Sequence, residues 1–358
     1  MGPRVLITGA TGFVGSRVAA LAAASPRAGH LKLLTRGPLP PARTPASVTA
    51  STPASVTASM TASAAQRMPA SATAPGAERA SASATAPTVE TVVGDLRDAD
   101  SLRRACEGVD VLIHCASAIG ADEESARSVN DEGARALVDA AVRAGVTRIV
   151  ALSTASVHGR GPFRAAAPGT LPLAPGSVTS RTRAAGERYV LDAGGSVLRP
   201  HLVYGAGDRQ VVPGLVRLLD ALPGPLDAGA SLHSLMDVES LAGALLGAAL
   251  SPRTEADAYY VNHPEPVPVA ELLAPCEELL AGLPGREGRS RAATVDLTEA
   301  HELLAGHPFG RHHLAMLATD HWFADDRPWG ELGCDPGPGF TAGFAAHARW
   351  YRNLLEPS

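Results

Sequence analysis

Short apolar runs alternate with amphipathic segments over the first two hundred residues. The run Val5-Leu6-Ile7 predicts a buried strand, and the next segment predicts a helix that begins near Phe13 and turns Val14, Val18 and Leu21 inward. The further predicted elements are strand 30–35, strand 89–95, helix 101–107, strand 109–114, helix 130–144, strand 148–152, helix 182–191 and strand 196–199. Strands that alternate with helices predict an α/β fold, here a Rossmann-like, doubly wound, mostly parallel sheet.

Beyond Pro200 the regular alternation of predicted strands and helices ends, and prolines, glycines and short helical segments are frequent. An apolar helix is predicted at 238–250 and a short strand at 258–261, and we expect both in a smaller lobe that closes over the sheet. We therefore divide the chain into a sheet domain at 1–200 and a C-terminal lobe at 201–358, some segments of which return to the sheet domain. Substrate binding is expected to depend on the smaller lobe.

A low-complexity stretch interrupts the sheet domain between its second and third strands. Residues 38–87 are almost all Ala, Ser, Thr and Pro, and the octet TPASVTAS occurs twice in tandem, at 44–51 and 52–59. Its few large apolar residues cannot offset the entropy lost on ordering. We predict a flexible surface insertion. The alternative is a lid or a partner-binding segment, because long loops are sometimes functional.

The first predicted strand is followed by a glycine-rich turn, TGATGFVG at 8–15. Glycine between a strand and a helix allows a tight turn at Gly9, a close backbone approach to a pyrophosphate at Gly12 and close helix–strand packing at Gly15. The free amide groups of the helix N-terminus attract the anion. The predicted dinucleotide-binding residues of this turn are Gly9, Thr11, Gly12, Phe13, Val14 and Gly15.

Composition and charge narrow the classes of function and partner. The chain has 358 residues, 45% of them hydrophobic, and a formal net charge of -5 without a basic stripe, so we expect no nucleic-acid partner. The first apolar run is too short to span a membrane and lacks the flanks of a signal peptide, so we expect no membrane partner. The four cysteines have no metal-ligand spacing, which favours reduced thiols in a cytoplasmic protein. The oligomeric state stays open.

Several motifs in a fixed order then identify a family. The chain resembles the extended short-chain dehydrogenase/reductases nearly end to end, apart from the insertion. The motifs that carry the resemblance are TGATGFVG at 8–15, GDL at 94–96, HCAS at 114–117, Asn130 with Gly133, Ser153-Thr154, VHG at 157–159, LRP at 198–200, VYG at 203–205 and VESLA at 238–242.

The resemblance implies further cofactor-binding positions. They are Asp95, Leu96, Cys115, Ala116, Ser117, Pro200 and Leu202. In the family, the residues matching Asp95 and Leu96 frame the adenine, and the carboxylate accepts from its amino group. Those matching Ala116 and Ser117 line the path toward the nicotinamide ribose. The backbone at 200–202 would lie near the carboxamide.

Charge at the end of the second strand predicts which nicotinamide cofactor binds. An acidic residue at that place would bind the ribose hydroxyls of NAD and repel a 2′-phosphate. This chain has Thr35 followed by Arg36, and its next carboxylate is Glu78. A guanidinium can bind a phosphate through two parallel hydrogen bonds. We therefore predict NADP(H) rather than NAD(H); the alternative is that Arg36 is only a solvated loop cation.

The catalytic signature of the family, Tyr-x-x-x-Lys, is missing. Lys32, in the second strand, is the chain's single lysine, so no such pair exists. The sequence AAGE at 184–187 matches the stretch after the usual lysine, which puts the positions of the pair at Thr179 and Arg183. Tyr189 is the nearest tyrosine, and its helical spacing places it elsewhere.

These replacements change the acid–base chemistry that is available. A threonine hydroxyl is a far weaker acid than a phenol, whose pKa is about 10. Arg183 stays protonated, so it can stabilise an oxyanion but cannot shuttle protons. Ser153 and Thr154, the latter matching the family's catalytic Ser/Thr, can still donate hydrogen bonds to a carbonyl oxygen.

Two classes of function follow. The first is an NADPH-dependent ketoreductase for an aromatic polyketide or quinonoid ketone in antibiotic biosynthesis, whose substrate supplies the proton. Atypical family members that lack the tyrosine include ketoreductases of angucyclinone polyketides. The second is a non-catalytic NADP(H)-binding regulator or scaffold. A sugar-nucleotide epimerase or dehydratase comes third, because that chemistry depends heavily on the tyrosine.

Histidines offer other proton donors. His158 stands in a turn where the family usually has tyrosine, and His201 follows Arg199-Pro200; each is expected to be a packed or hydrogen-bonded side chain, with a proton donor near neutrality as the alternative. The group His307, His312 and His313 is expected to be a surface loop.

Overall fold

The computed structural model describes residues 2–38, 87–286, 288, 292–330 and 332–356. The predicted insertion at 38–87 thus lies outside the described residues, except for its two ends. The strands of the described part are β1 (Arg4–Thr8), β2 (His30–Thr35), β3 (Thr88–Val93), β4 (Val111–His114), β5 (Arg148–Leu152), β6 (Phe163–Ala166), β7 (Ser196–Arg199), β8 (Leu202–Tyr204), β9 (Leu226–Asp227), β10 (Leu232–His233), β11 (Leu235–Asp237), β12 (Ala258–Tyr260), β13 (Val267–Pro268), β14 (Val295–Asp296) and β15 (His321–Phe323).

The helices of the described part follow in the same order. They are α1 (Phe13–Ala24), α2 (Ala99–Cys106), α3 (Glu123–Arg127), α4 (Ala134–Arg143), α5 (Val178–Asp192), α6 (Val211–Asp220), α7 (Val238–Leu250), α8 (Val269–Ala281), α9 (Leu297–Leu303), α10 (Pro308–Leu317), α11 (Arg327–Gly330) and α12 (Phe340–Leu355), with a π-helical turn at Ser128–Gly133 and a 3-10 turn at Ala155–His158. The helix predicted at 130–144 is therefore split between the π-helical turn and α4.

Seven parallel strands form the central sheet in the order β12-β7-β5-β4-β1-β2-β3. The order reverses direction at β1, from which the chain extends first toward β3 and then toward β12. This arrangement confirms the predicted Rossmann-like, doubly wound fold. In such sheets, ligands bind beyond the carboxyl ends of the strands near the reversal.

Alternating side chains of the strands form two separate cores, one on each face of the sheet. Val5 and Ile7 pack with α1 and α7, whereas Leu6 packs with α2, α4 and α5. On α1 the buried positions include Val14 and Val18, as predicted. Leu21 is 37% exposed, so its predicted inward position was wrong. The helix instead buries Ala22, which is four residues after Val18 and thus on the same face.

Two elements that we expected in the smaller lobe belong to the sheet domain. Strand β12 pairs with β7 and forms one edge of the central sheet. Helix α7 packs against α1 and against β4 and β5. Both follow residue 201 in the chain, so the boundary at 200 separates the lobes only approximately. The hydrophobic pattern alone could not show this, because buried helices and strands look alike in either lobe.

The smaller lobe has its own apolar core, built from α6, α8, α12 and neighbouring segments. A four-stranded sheet in the order β13-β10-β15-β6 lies alongside; its first pair is antiparallel and the others are parallel. Tyr351, fully buried on α12, donates a hydrogen bond to Asp208 at 3.1 Å and accepts one from the amide of Gly205 at 2.7 Å. These bonds fix α12 against the loop that begins α6. Among the described residues, no helix has the length and apolar character needed to cross a membrane.

Candidate functional site

A cavity of about 970 Å³ opens at the carboxyl ends of β1, β5 and β7 and extends to the smaller lobe. Both lobes contribute to its wall. Its lining includes Ala10, Thr11, Gly12, Phe13, Val14, Leu152, Ser153, Thr154, Ser177, Thr179, Ser180, Arg183, Pro200, His201, Val203, Asp208, Gln210 and His312. We call the turn at 9–15 the glycine end of this cavity, and Ser153, Thr154, Thr179 and Arg183 its hydroxyl end.

The backbone of the glycine end leaves no room for side chains. Gly9 has a φ of +70°, a left-handed conformation that favours glycine, and a Cβ there would lie 2.6 Å from the amide nitrogen of Ala116. A Cβ on Gly15 would lie 2.8 Å from the carbonyl carbon of Gly9. The amide of Gly12 donates to the oxygen of Gly9 at 2.9 Å, which closes the turn. The turn therefore brings the N-terminus of α1 to the cavity, as a phosphate site requires.

A buried hydrogen-bond network supports the next loop, which contains Cys115, Ala116 and Ser117. Asn130 lies in the π-helical turn, and its side-chain oxygen accepts from Ser117 Oγ at 3.0 Å and from the amide of Ala118 at 2.7 Å. Its amide nitrogen donates to Thr182 on α5 at 3.1 Å. Ala116 and Ser117 line a small adjoining cavity of about 30 Å³ rather than the main one. Burial raises the pKa of the Cys115 thiol to about 12, so it stays protonated.

The predicted adenine-side residues lie at the ends of β2 and β3, outside the cavity wall. The amide of Gly94 donates to the oxygen of Thr35 at 2.9 Å, which places the two loops side by side. Arg97 donates two side-chain hydrogen bonds to the Asp95 carboxylate, at 2.9 and 2.7 Å, and lowers its pKa to about 2; Arg36 adds to the lowering. Arg36 itself is exposed, and Leu96 is buried. Asp95 is thus a firmly ionised carboxylate with a cation on each side.

Arg183 is the half-buried, charged side chain of the hydroxyl end. It projects from α5 and donates a hydrogen bond to the main-chain oxygen of Leu152, at the end of β5, at 2.7 Å. Burial lowers the pKa of Arg183 to about 10, which still leaves it a cation at neutral pH. It lines both the main and the small cavity. A fixed guanidinium at this place can stabilise negative charge on a bound oxygen.

The three hydroxyl side chains of this end differ in their bonding. Ser153 Oγ is buried and has no hydrogen-bond partner among the described residues. Thr154 Oγ1 accepts from the amide of Ser156 at 3.2 Å and so caps the 3-10 turn. Thr179 is half-buried in the first turn of α5, which Ser177 caps. Among the described residues, Ser153 is therefore the hydroxyl of this end that is buried without any partner, while Thr154 still has a hydrogen to donate.

None of the five tyrosines, all of which the structure describes, lines the main cavity. Tyr189, predicted to lie elsewhere, donates to Asp131 at 2.9 Å. Sequence reasoning did not single out Ser177 and Ser180, whose positions on the cavity wall follow from the capping pattern at the start of α5. Two serines three residues apart are typical of the capped start of a helix, and this spacing could have identified both positions.

The histidines divide into packed and cavity-lining side chains. His158 lies 2.8 Å from the hydroxyl of Tyr260 and 2.9 Å from the oxygen of Pro172, so it is a buried, hydrogen-bonded residue as expected. The surface loop predicted around His307, His312 and His313 was wrong, because residues 308–317 form α10. Pro308 provides the first position of that helix, for which its fixed φ is suited. The helix brings His312 to the cavity, and His201 lines it from the loop after β7.

Of the predicted cofactor residues, Thr11, Gly12, Phe13, Val14 and Pro200 line the main cavity. Gly9 and Gly15 shape the turn behind them. Leu202 begins β8, and its amide donates to the oxygen of Ser234 at 3.3 Å; it lies outside the lining of the cavity. Predicted binding residues thus fall into one group at the cavity and a second group beside it.

Comparison with known proteins gives a family match over most of the chain. The model of the NAD dependent epimerase/dehydratase family matches residues 5–261. This range begins in β1, includes both ends of the cavity and ends just after β12.

Two curated relatives show what kinds of enzyme the chain is similar to. The chain is 28% identical to a 2-alkyl-3-oxoalkanoate reductase of Stenotrophomonas maltophilia over 267 residues, which is 66% of this chain and 78% of the relative. It is 30% identical to a 4-hydroxy-2-methyl-3-oxo-4-farnesyl-3,4-dihydroquinoline-1-oxide ketoreductase of Stigmatella aurantiaca over 199 residues. That alignment spans 51% of this chain and 58% of the relative, so it leaves much of both proteins unmatched.

A solved structure resembles the whole chain in fold. The dTDP-glucose 4,6-dehydratase of Streptomyces venezuelae, solved as a double mutant with NAD bound, aligns with a TM-score of 0.67 and 22% identity. The alignment covers 98% of this chain and 97% of that one. At this identity the likeness shows the fold alone.

Proposed function

The chain belongs to the NAD-dependent epimerase/dehydratase family, and from this premise we propose that it is an NADPH-dependent ketoreductase. Its proposed substrate is an aromatic polyketide or quinonoid ketone of antibiotic biosynthesis, as for the angucyclinone ketoreductase of the simocyclinone pathway, which it resembles. One observation carries the proposal: the glycine turn and the hydroxyl side chains of Ser153, Thr154 and Thr179 line a single cavity of about 970 Å³. A dinucleotide and a polycyclic ketone require such shared space.

The choice of NADP(H) rests on the cations at the end of β2. Arg36 is exposed beside the loop of Asp95, whose own carboxylate is engaged by Arg97. The Asp95 carboxylate is thus neutralised by a neighbour, which leaves Arg36 available to a 2′-phosphate. The NAD found in the fold relative belongs to that protein and does not decide the matter for this chain.

NADPH, when bound, supplies the hydride, and the side chains of the hydroxyl end act on the ketone oxygen. Ser153 Oγ has an unused hydrogen that it can donate to this oxygen. Arg183, fixed to the oxygen of Leu152, stabilises the negative charge that develops. Neither group provides a proton near neutral pH, because the pKa of a serine hydroxyl is far too high and the guanidinium of Arg183 stays protonated. The proton therefore comes from the substrate's own phenol or from solvent.

The relatives support a reductase over a sugar-modifying enzyme. Both curated relatives named above are described as reductases of keto groups, one of them on a fused aromatic nitrogen ring system. Sugar-nucleotide epimerisation or dehydration stays a third candidate. The five tyrosines all lie away from the main cavity, which leaves that chemistry without its usual base.

The second candidate is a regulator or scaffold that binds NADP(H) without turnover. The observation in its favour is that none of the five tyrosines, all of them described, lines the main cavity, and that Thr179 is a poor acid. We further propose a cytoplasmic setting, since the four cysteines are all free thiols.

The direct test is NADPH oxidation with a panel of quinonoid polyketide ketones, each measured with and without protein. We expect oxidation with at least one hydroxylated member of the panel and none with the Gly15→Val variant, whose turn cannot close. NADPH binding without oxidation across the panel would support the regulator instead. Oxidation with nucleotide sugars alone would support the third candidate.

A further inference from the structure

Three histidines from separate parts of the chain converge behind the cavity wall. His201 follows β7, His233 lies in β10 and His321 begins β15, and the last two face each other as partners in the four-stranded sheet. One ring nitrogen from each lies within 4.8 Å of the other two. The three ring planes are inclined to one another by only 6 to 14°. Three imidazoles this close are unusual in an apolar interior.

Hydrogen bonds behind two of the rings fix which nitrogen carries the proton. Ser231 Oγ donates its hydrogen to the main-chain oxygen of Leu317, so it can only accept from Nε2 of His233, 3.0 Å away. His321 Nδ1 lies 2.8 Å from the oxygen of Thr319, to which it must donate. Therefore Nδ1 of His233 and Nε2 of His321 both present lone pairs. Such bonds to the far nitrogen orient and strengthen histidine ligands of metals.

The inward nitrogens have little else to bind. Nδ1 of His233 and Nε2 of His201 are buried and have no hydrogen-bond partner in the part of the chain that the structure describes. Nε2 of His321 has only a long contact from the amide of Gly161, at 3.4 Å. The loop that carries His201 is held in place, because the amide of His201 donates to Asn262 Oδ1 at 2.8 Å. Buried polar atoms without partners in a native protein call for an unseen ligand or a functional role.

The surroundings also keep the rings in the state that binds metals. Burial lowers the pKa of His233 to about 4, and it lowers the pKa values of His201 and His321 as well; His321 also opposes the protonation of His201 and His233. All three are thus neutral at pH 7. Neutral imidazole is the form that coordinates transition metals.

We propose that His201, His233 and His321 form a binding site for a divalent transition-metal ion of the zinc class. In a tetrahedral zinc site, two nitrogens that are each about 2.0–2.1 Å from the metal lie about 3.4 Å apart, so nitrogens that lie within 4.8 Å of one another need to close by at most about 1.4 Å. Three protein ligands leave a fourth position open. Since His201 also lines the main cavity, a water or a substrate oxygen can reach that position from the cavity.

The ion would join three segments that no disulfide links. It would connect β10 and β15, in the four-stranded sheet, to the loop that follows β7. Strand β7 belongs to the central sheet. The donor set consists of three imidazole nitrogens, which favours zinc, cobalt or nickel over magnesium or calcium. This inference stands apart from the proposed reductase activity, because it concerns binding of the metal alone.

The test uses full-length protein that has been stripped with a chelator and contains neither NADPH nor ketone. Calorimetric titration with ZnCl2 is expected to show one ion bound per chain, and CoCl2 is expected to give the visible absorption of tetrahedral Co²⁺. MgCl2 should give no heat. ZnCl2 should raise the Tm, because a ligand that binds the folded state stabilises it. The absence of Zn²⁺ binding and of the Co²⁺ absorption in folded wild-type protein would overturn the proposal.

Variants assign the binding to these side chains. His201→Ala, at the cavity wall, should weaken Zn²⁺ binding at least about 10-fold, and Ser231→Ala should weaken it by about 10-fold through the lost support of His233. The matched control is His307→Ala, since His307 is exposed and makes no capping bond on α10. If His201→Ala binds Zn²⁺ as tightly as wild type, or if His307→Ala loses the ion, the ligands are other than proposed. Since both readouts need folded protein only, failure of the reductase proposal would not affect them.

Discussion

The two ends of the main cavity are built in different ways. The glycine end depends on backbone constraints at Gly9 and Gly15: the turn is left-handed at Gly9, and a Cβ at either position would lie within 3 Å of other backbone atoms. The hydroxyl end is built from side chains, of which Ser153 has an unused donor and Arg183 is fixed by a single main-chain oxygen. A backbone site requires particular residues, whereas a side-chain site can change its chemistry and keep its shape. The family relationship therefore says more about the cofactor than about the reaction.

The largest expected effect is a bulky substitution at the glycine end. In Gly15→Val the new side chain would press on the Gly9 carbonyl and on Cys115, so we expect NADPH affinity to fall by about 100-fold or the chain to lose stability by about 1–3 kcal/mol. The measurement is a fluorescence titration with NADPH beside a thermal melt. Gly176→Ala is the control, because its Cβ meets nothing within 4 Å. Unchanged affinity and Tm in Gly15→Val would show that the glycine end does not require glycine at this position.

The next largest effect is expected at Arg36, which follows β2 and is predicted to determine the choice of cofactor. Arg36→Asp should weaken NADPH binding by about 10- to 100-fold, because a charged hydrogen bond contributes about 1.5–3 kcal/mol. NADH binding should stay unchanged or become tighter, because an acidic residue at the end of β2 can accept hydrogen bonds from the ribose hydroxyls. Arg143→Asp, an equal change of charge at the exposed end of α4, is the control. Affinities for both cofactors are measured by titration at low salt. Equal losses for NADPH and NADH would show that Arg36 does not contact the 2′-phosphate.

The dependence of stability on pH tests the contact between His114 and Thr8, the residue directly before the glycine end. His114 lies at the end of β4, with Nδ1 2.7 Å from Thr8 Oγ1, and burial lowers its pKa to about 4 from a usual value of about 6.5. The unfolded chain thus binds a proton that the folded chain excludes between these values. The free energy of unfolding should fall as pH decreases from 6.5 toward 4, by about 1–3 kcal/mol from this group.

Urea unfolding at several pH values measures this dependence. The variant His114→Gln should show a shallower loss of stability over the same range, although His233 and other buried histidines still contribute. An identical pH dependence in wild type and His114→Gln would show that His114 is not the group responsible.

The smallest expected effect is at the hydroxyl end. Ser153→Ala removes a buried hydroxyl that has no partner in the protein, so the free energy of unfolding should change by less than about 1 kcal/mol or increase. Chemical denaturation measures it, with Ser180→Ala as the control, since Ser180 caps α5 reciprocally with Ser177 and should cost about 1 kcal/mol. A greater loss in Ser153→Ala than in Ser180→Ala would mean that Ser153 has a structural role.

The difference between the two ends also explains what the sequence could predict. The glycine turn, the sheet and strands β2, β5 and β7 could be read directly, because glycine spacing and apolar runs report on backbone geometry. Leu21 was misplaced because a short helix of small residues has a weak apolar face. The positions of α7 and β12 in the sheet domain, and of His312 and the three clustered histidines, depend on contacts between distant segments. No local pattern encodes such contacts.

The central claim is that the substrate, rather than the hydroxyl end, handles the proton. Its most direct test is kcat/KM for NADPH oxidation with a hydroxylated quinonoid ketone and with its phenol O-methyl ether, in wild type and in Thr179→Val. We predict that methylation lowers kcat/KM by about 100- to 10,000-fold, the usual contribution of a positioned proton donor, and that Thr179→Val changes it by less than about 3-fold. A collapse of activity in Thr179→Val with no effect of methylation would contradict the account.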